Sequence, residues 1–177
     1  MFKIVTFLIL FLAASSINAQ ETTKNEYAIL KNGDTIFGKV KRRTHWYNTS
    51  KINFIVKQEN GEKLFLTPKN TTLIRSLNGV DGDCIIKPVY ENCFSKREIN
   101  GRIEVFMDLS TSIFYLSKNN SRLEYVEIGG FFTRKEAHEQ VRPYLADNLE
   151  ILYEYDQLVG SAKNIFYIIE KYNNYYK

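Results

Sequence analysis

The sequence predicts an α+β protein, in which an antiparallel β-rich roll, barrel or sandwich is followed by a short C-terminal segment of two or three helices. Two observations predict this fold. Short apolar runs bounded by turn residues continue to about residue 130, and turns every 8–12 residues or so are typical of layered β proteins. After Gly129-Gly130 the apolar spacing becomes helical. We therefore expect a β-rich region, residues 26–130, and a helical tail, residues 131–177, that packs on it as part of one domain.

The amino end has the features of a cleavable secretory signal peptide. Lys3 is positively charged, residues 4–14 are apolar with one exception, and small Ala19 precedes a polar stretch. The apolar run would form a helix about 17 Å long, whereas the hydrocarbon core of a bilayer is about 30 Å thick and needs about 20 residues. We expect residues 1–19 to be removed and residues 20–25 to form a polar lead-in. The mature chain is then periplasmic or extracellular, with no transmembrane segment; a retained anchor is the alternative.

Two hairpins are predicted near the start of the β-rich region. Residues 27–31 and 35–41 flank Asn32-Gly33-Asp34, and Asn-Gly between alternating runs is a strong hairpin signal. Residues 52–57 and 64–66 flank a second turn containing Gly61. Further strands are expected at 71–77, 84–90, 103–109, 113–117 and 123–128, with Pro88 restricting its strand to an edge or a bulge.

Three helices are predicted in the tail. Thr133 and Glu136 have the spacing of a capping box, and Pro143 should kink or end the first helix. Asp147 is expected to cap a second short helix, and Gly160-Ser161 to start the last one. The last helix has an apolar stripe that should dock on the sheet: Ile165, Ile168, Ile169 and Tyr172.

The chain resembles exported proteins of unknown function that are common in Bacteroidota. The resemblance rests on the signal ending Asn18-Ala19-Gln20, on the early segment 32–39 (NGDTIFGK) and on the closing segment 168–173 (IIEKYN). In those proteins a β-rich region is similarly followed by a short helical tail that ends near Tyr-Asn. The resemblance implies a Gram-negative envelope setting and no particular activity.

Charge is unevenly distributed along the chain, whose formal net charge is +4. Residues 20–103 carry fifteen basic and nine acidic side chains, and residues 104–177 carry eight basic and eleven acidic ones. Neither part is charged enough to predict nucleic-acid binding. The basic segment around Arg42, Arg43, His45 and Trp46 offers cations beside an indole, which suits a phosphate, an anionic sugar or a lipid headgroup. The alternative is a solvated strand end with Trp46 turned into the core.

Cys84 and Cys93 are the two cysteines of the chain. In an oxidising compartment a pair at this spacing is expected to form a disulfide. The alternative is two small buried thiols, because the sequence does not fix the distance between their Cα atoms.

No motif in the sequence indicates a catalytic, metal-binding or cofactor-binding site. His138 lacks the second histidine of a zinc-protease helix, and Asp81-Gly82-Asp83 has Asn92 where an EF-hand loop would end in Glu. No cofactor and no metal are therefore expected. We predict a non-enzymatic envelope or secreted module that binds an envelope protein or an anionic glycan or lipid headgroup. The alternatives are a small extracellular hydrolase using carboxylates, with Asp81, Asp83 and Glu91 the first suspects, and a structural accessory subunit.

Overall fold

The structure, a computed structural model, describes residues 25–45, 47–111, 113–126 and 134–177. The predicted signal peptide, Trp46 and the first helix's expected Thr133 cap lie outside these residues. The strands are β1 (Tyr27–Leu30), β2 (Thr35–Phe37), β3 (Lys39–His45), β4 (Asn48–Lys57), β5 (Lys63–Leu66), β6 (Thr71–Ser76), β7 (Cys84–Val89), β8 (Cys93–Ile99), β9 (Ile103–Asp108), β10 (Phe114–Lys118) and β11 (Glu124–Val126). The helices are α1 (Arg134–Leu145), α2 (Leu149–Asp156) and α3 (Ala162–Tyr175). None of these three helices has the length and apolar character required to span a bilayer.

The strands form two antiparallel sheets, which confirms the predicted β-rich fold with a helical C-terminal segment. The large sheet has eight strands in the order β11-β10-β9-β8-β7-β6-β1-β2, and the small sheet has the order β3-β4-β5. No barrel closes within the described residues. The small sheet packs face to face on part of the large one, as the edge-to-face contact of Phe54 with Phe94 shows, with ring centroids 5.1 Å apart.

The small sheet and the helices cover two halves of the same face of the large sheet. Directly paired residues in adjacent strands point to the same side of a sheet. The ladder pairings connect one row of such residues across all eight strands: Ile36, Ala28, Ile74, Ile86, Lys96, Met107, Phe114 and Val126. Ala28, Ile74 and Ile86 are buried with the small sheet, whereas Phe114 and Val126 are buried with the helices. The face therefore has two adjacent cores.

Gly38 is the point where the chain leaves the large sheet and enters the small one. The segment 35–41, which the sequence predicts as one strand, is divided here into β2 and β3. Gly38 has a φ of +154°, and a Cβ at this position would collide with the backbone carbonyl of Lys57. Glycine is needed because two backbones approach too closely for any side chain.

Glu26 holds the two sheets together at this crossing point. Its buried carboxylate accepts hydrogen bonds from the backbone N–H groups of Val40 in β3 (3.0 Å), of Leu77 (2.8 Å) and of Asn78 (2.9 Å), the last two directly after β6. Burial acts to raise the pKa of Glu26, but these three donors outweigh it and the pKa lies below its usual value. The carboxylate is therefore kept in its charged form.

The last helix docks on the sheet as predicted, with Ile165, Ile168, Ile169 and Tyr172 all buried. Asn173 adds a polar anchor. Its side-chain amide donates to the carbonyl of Ile103 and its side-chain oxygen accepts from the N–H of Ile103, both at 2.8 Å. A Cβ on Gly101 would collide with this amide. Asn173 thus satisfies a strand backbone that would otherwise be left without hydrogen bonds in the core.

One local expectation for the helices needs correction. The N-cap of α2 is Asn148, whose side-chain oxygen accepts from the N–H of Ile151 at 3.1 Å, and not Asp147. The Asp147 carboxylate instead binds the Lys118 ammonium (2.6 Å) and the Tyr172 hydroxyl (2.8 Å) and so joins the sheet to α3. Ser161 caps α3 as expected.

Pro88, which was expected to restrict its strand to an edge or a bulge, lies in a strand inside the large sheet. β7 lies between β6 and β8, but β6 pairs with it only from Cys84 to Ile86. Pro88 therefore lies on a part of the strand with a neighbour on one side only, which is where a residue without an N–H is tolerated.

We predict that the Glu26 carboxylate stabilises the fold in a pH-dependent way. Because its pKa is lower in the folded than in the unfolded chain, its contribution is present above the unfolded value of about 4.3 and is lost as the pH falls through the folded value. Glu26→Gln should lower the free energy of unfolding by about 1–3 kcal/mol at pH 7, where an amide replaces a charged acceptor of three hydrogen bonds. Urea titrations at pH 7 and pH 3 should show the difference shrinking at the lower pH. A difference independent of pH would contradict this role.

We also predict that Asn173, and not the neighbouring Asn174, determines the stability of the tail. Asn173→Ala should cost about 2–3 kcal/mol because it leaves both backbone groups of Ile103 unpaired. Asn174→Ala removes an exposed side chain and should change stability by less than about 0.5 kcal/mol. Urea midpoints of the two variants give the comparison, and equal midpoints would exclude the proposed anchor.

Candidate functional site: a basic face on the small sheet

Successive side chains of β3 point to opposite faces of the sheet, so the two arginines of the predicted basic segment face different surroundings. Arg42 points inward, where its guanidinium binds the Asp81 carboxylate at 2.8 Å and the carbonyl of Leu109 at 2.9 Å. Arg43 is exposed on the opposite side of the strand. The side chain of His45 and all of Trp46 lie outside the described residues. Arg42 therefore fastens the small sheet to the loop before β7, and of the two arginines only Arg43 faces solvent.

The outer face of the small sheet carries six exposed cationic side chains. They come from alternate positions of all three strands: Lys39, Lys41 and Arg43 in β3, Lys51 and Lys57 in β4, and Lys63 in β5. We call this surface the basic face. None of the six makes a salt bridge within the described residues, and no carboxylate of a described strand residue points to this face. Glu59 and Glu62 lie in the β4–β5 turn, and Glu59 lines a cavity together with Lys39 and Lys57.

The register places like charges side by side. Lys39 is paired with Lys57, and Lys57 with Lys63, so three ammonium groups form a row across the sheet. Adjacent strands are about 4.8 Å apart, and successive outward residues on one strand are about 6.8 Å apart. Like charges directly opposite each other destabilise a sheet. A row of this kind is therefore unfavourable for the fold and favours an anionic ligand.

The centre of the basic face is apolar. Ile55 and Phe65 are paired in the next row, and the Phe65 side chain is 57% exposed. An aromatic ring exposed among cations offers a ligand a stacking surface beside its charge contacts. The face thus combines charge with one flat apolar contact.

Cavities adjoin the basic face at both ends. One, of about 750 Å³, is lined by Lys39, Lys57 and the buried Glu26. Another, of about 490 Å³, is lined by Lys51 and Asn53 together with Lys69. An extended ligand on the face would therefore meet a recess at either end.

The three suspected catalytic carboxylates each form an ion pair with a different cation. Asp81 binds Arg42, Asp83 binds Arg75 at 2.6 Å, and Glu91 binds Lys31. Asp83 precedes β7 and Glu91 follows it, so this strand of six residues, about 20 Å long, lies between them. Paired carboxylates in glycosidases are about 5–9.5 Å apart. Glu91 is therefore too far from Asp83 to form such a pair with it.

The expected disulfide is not formed: Cys84 and Cys93 are both free thiols. Cys84 starts β7, whereas Cys93 is paired with Val89 at the other end of that strand. The two are five strand positions apart, or about 16 Å, and they point to opposite faces. A disulfide requires Cα atoms within about 7 Å. The hairpin that joins the two cysteines in sequence holds them apart in space.

The remaining candidates for metal chemistry have structural contacts. His138 stacks on Tyr155, with ring centroids 4.2 Å apart, and its Nε2 lies 2.9 Å from the carbonyl oxygen of the same residue. Within the described residues, no group of three or more histidine, cysteine, aspartate or glutamate side chains is arranged to hold a metal ion.

Comparison with known proteins finds no matching family model, no matching curated protein and no matching solved structure.

Sequence reasoning identified Arg43 but missed the larger part of the basic face. Lys57 and Lys63 fall in the second predicted hairpin and Lys51 directly precedes it, and nothing in the sequence places that hairpin beside β3. The available signal was the alternation itself, because every second residue from Lys39 to Arg43 is basic, as are Lys51 and Lys57. Pairing the two segments in register would have gathered these side chains on one face.

We predict that both thiols stay reduced and unreactive in the folded protein. Burial raises the pKa of Cys84 to about 11, and burial together with the Asp108 carboxylate raises that of Cys93 to about 12, so neither forms a thiolate at neutral pH. Iodoacetamide followed by mass analysis should label little in the native protein and two cysteines in urea, without reductant. If the two cysteines were labelled in urea only after a reductant had been added, the result would show that they form a disulfide.

Proposed function

We propose that this chain is an exported, non-enzymatic binding module whose basic face holds an anionic glycan. The observation that carries the proposal is the row Lys39–Lys57–Lys63, where like charges oppose one another across strands and none of the three lysines makes a salt bridge within the described residues. A ligand with closely spaced sulfates, carboxylates or phosphates relieves this repulsion. The signal-peptide features of residues 1–19 support the export part of the proposal.

A glycan suits the face better than a membrane surface. The C–H groups of a sugar ring are slightly positive and stack on the negative face of an aromatic ring such as that of Phe65. A protein that inserts into a membrane presents a broad apolar surface. Here the exposed apolar surface is small: the neighbour of Phe65 in its row, Ile55, is only 9% exposed, and Phe37 lines the cavity at the end of the face.

The hydrolase alternative receives no support from the suspected residues. Each of Asp81, Asp83 and Glu91 has its own cationic partner, and the charge of each is used in holding loops and turns. We therefore favour binding over catalysis for this face.

Retention on heparin tests the proposal with two charge-matched variants. The first combines Lys41→Gln, Lys57→Gln and Lys63→Gln. The control combines Lys135→Gln, Lys163→Gln and Lys177→Gln, which are exposed on or after the helices. Three lost contacts of up to about 1 kcal/mol each should weaken binding to a heparin oligosaccharide roughly 10- to 100-fold. The control should bind like the parent protein.

The same variants separate a binding role from a structural one. The first variant should melt at the parent temperature or above it, because it removes repulsion between opposing lysines. Equal heparin affinity of parent and variant would exclude the basic face. Binding of the parent to vesicles with anionic phospholipids, without binding to heparin oligosaccharides, would overturn the choice of a glycan.

A further inference from the structure

A cavity of about 370 Å³ opens beside the turn that joins β7 to β8. Pro88 and Val89 from the end of β7, Leu123 from the segment before β11 and Pro68 from the segment before β6 give it apolar walls. Its volume lies within the range of about 300–1,000 Å³ that is usual for small-molecule sites. None of the six cations of the basic face lines it.

The turn beside this cavity has an unusual backbone. Tyr90 and Glu91 have φ angles of 49° and 57°, in the left-handed region that large side chains rarely adopt. Tight hairpin turns with this conformation normally use Asn or Gly. The β10–β11 connection does so, with Asn119 and Asn120 at φ 54° and 60°. Backbone strain of this kind is concentrated at ligand sites, where surrounding contacts maintain it.

Contacts on both sides fix the two strained residues at the cavity. The Tyr90 hydroxyl donates to the carbonyl of Leu123 at 3.0 Å, and the Glu91 carboxylate binds the ammonium of Lys31. The guanidinium of Arg122 lies 4.9 Å above the centre of the Tyr90 ring. Arg122 makes no salt bridge within the part of the chain that the structure describes. A planar cation without a carboxylate partner therefore stands at the rim of an apolar recess.

We propose that this cavity binds a small apolar carboxylate. The guanidinium of Arg122 receives the carboxylate, since its fork of N–H donors matches the two oxygens. The apolar body of the ligand lies against Val89, Leu123 and the Tyr90 ring. The left-handed turn places that ring as a wall of the site, which an Asn-Gly turn would not supply. The site is independent of the proposed glycan-binding face.

Octanoate, with its neutral analogue octanamide as a control, tests the proposal on the isotope-labelled full chain. Amide signals of residues near Tyr90 and Leu123 should shift and saturate with octanoate. Octanamide should bind at least tenfold more weakly. Shifts that do not saturate, or equal binding of the amide, would overturn the proposal.

Variants assign the role of each part. Arg122→Gln should weaken octanoate binding at least tenfold, whereas Arg43→Gln on the basic face should leave it unchanged. Tyr90→Asn combined with Glu91→Gly should keep or raise the melting temperature, because both residues suit a left-handed turn, and should lose the ligand. Parental affinity in either cavity variant would refute the site. Heparin binding should be unaffected in both, so this proposal and the glycan proposal fail separately.

Discussion

The Glu26 carboxylate accepts hydrogen bonds from three backbone N–H groups, one in the small sheet and two in the segment that directly follows a strand of the large sheet. It joins β3 of the small sheet to the end of β6 in the large sheet, directly beside the glycine where the chain crosses from one to the other. Among the strands that the structure describes, no backbone ladder pairs the two sheets, so their relative placement depends on side chains. Arg42 supplies a second polar link through Asp81 and Leu109. The apolar residues that the small sheet buries against the large sheet lie between these two polar links.

This placement also orients the basic face. A β-strand shows alternate residues to opposite sides, so fixing the inward set, Val40 and Arg42, determines that Lys39, Lys41 and Arg43 point outward. The same argument applies along β4, where Phe54 and Val56 are buried while Lys57 is exposed. The cationic side chains of the basic face are therefore exposed because the alternate side chains of the same strands are fixed in the core.

Local patterns in the sequence predicted much of the fold. Asn-Gly turns located the first hairpin, and helical spacing located the buried stripe of α3, because both signals involve residues near in sequence. The prediction was wrong where distant contacts decide. Gly38 breaks a continuous strand pattern because Lys57 lies against it, and the disulfide was expected from spacing although the β7–β8 register separates the two thiols. β8 was missed because polar and apolar residues do not alternate regularly along Cys93–Ile99, and the strand is defined by its pairing with β7 and β9.

The candidate site shows the same division between local and distant information. Arg43 was identified because basic residues cluster around it in sequence. Lys57 and Lys63 join it only through strand pairing, and Arg42 was misassigned because its partner Asp81 is 39 residues away. The cavity beside Tyr90 could not be predicted from the sequence, because its walls come from four separate segments of the chain.

The lysines of the small sheet also bear on self-association. β3 and β5 are the outer strands of this sheet within the described residues, and an outer strand can pair with the sheet of another molecule. Lysines along such strands oppose that pairing by repulsion between identical copies. An anionic polymer bound across the face would neutralise this repulsion, while its length would bring several chains side by side. The charges of this face would then no longer keep the bound molecules apart.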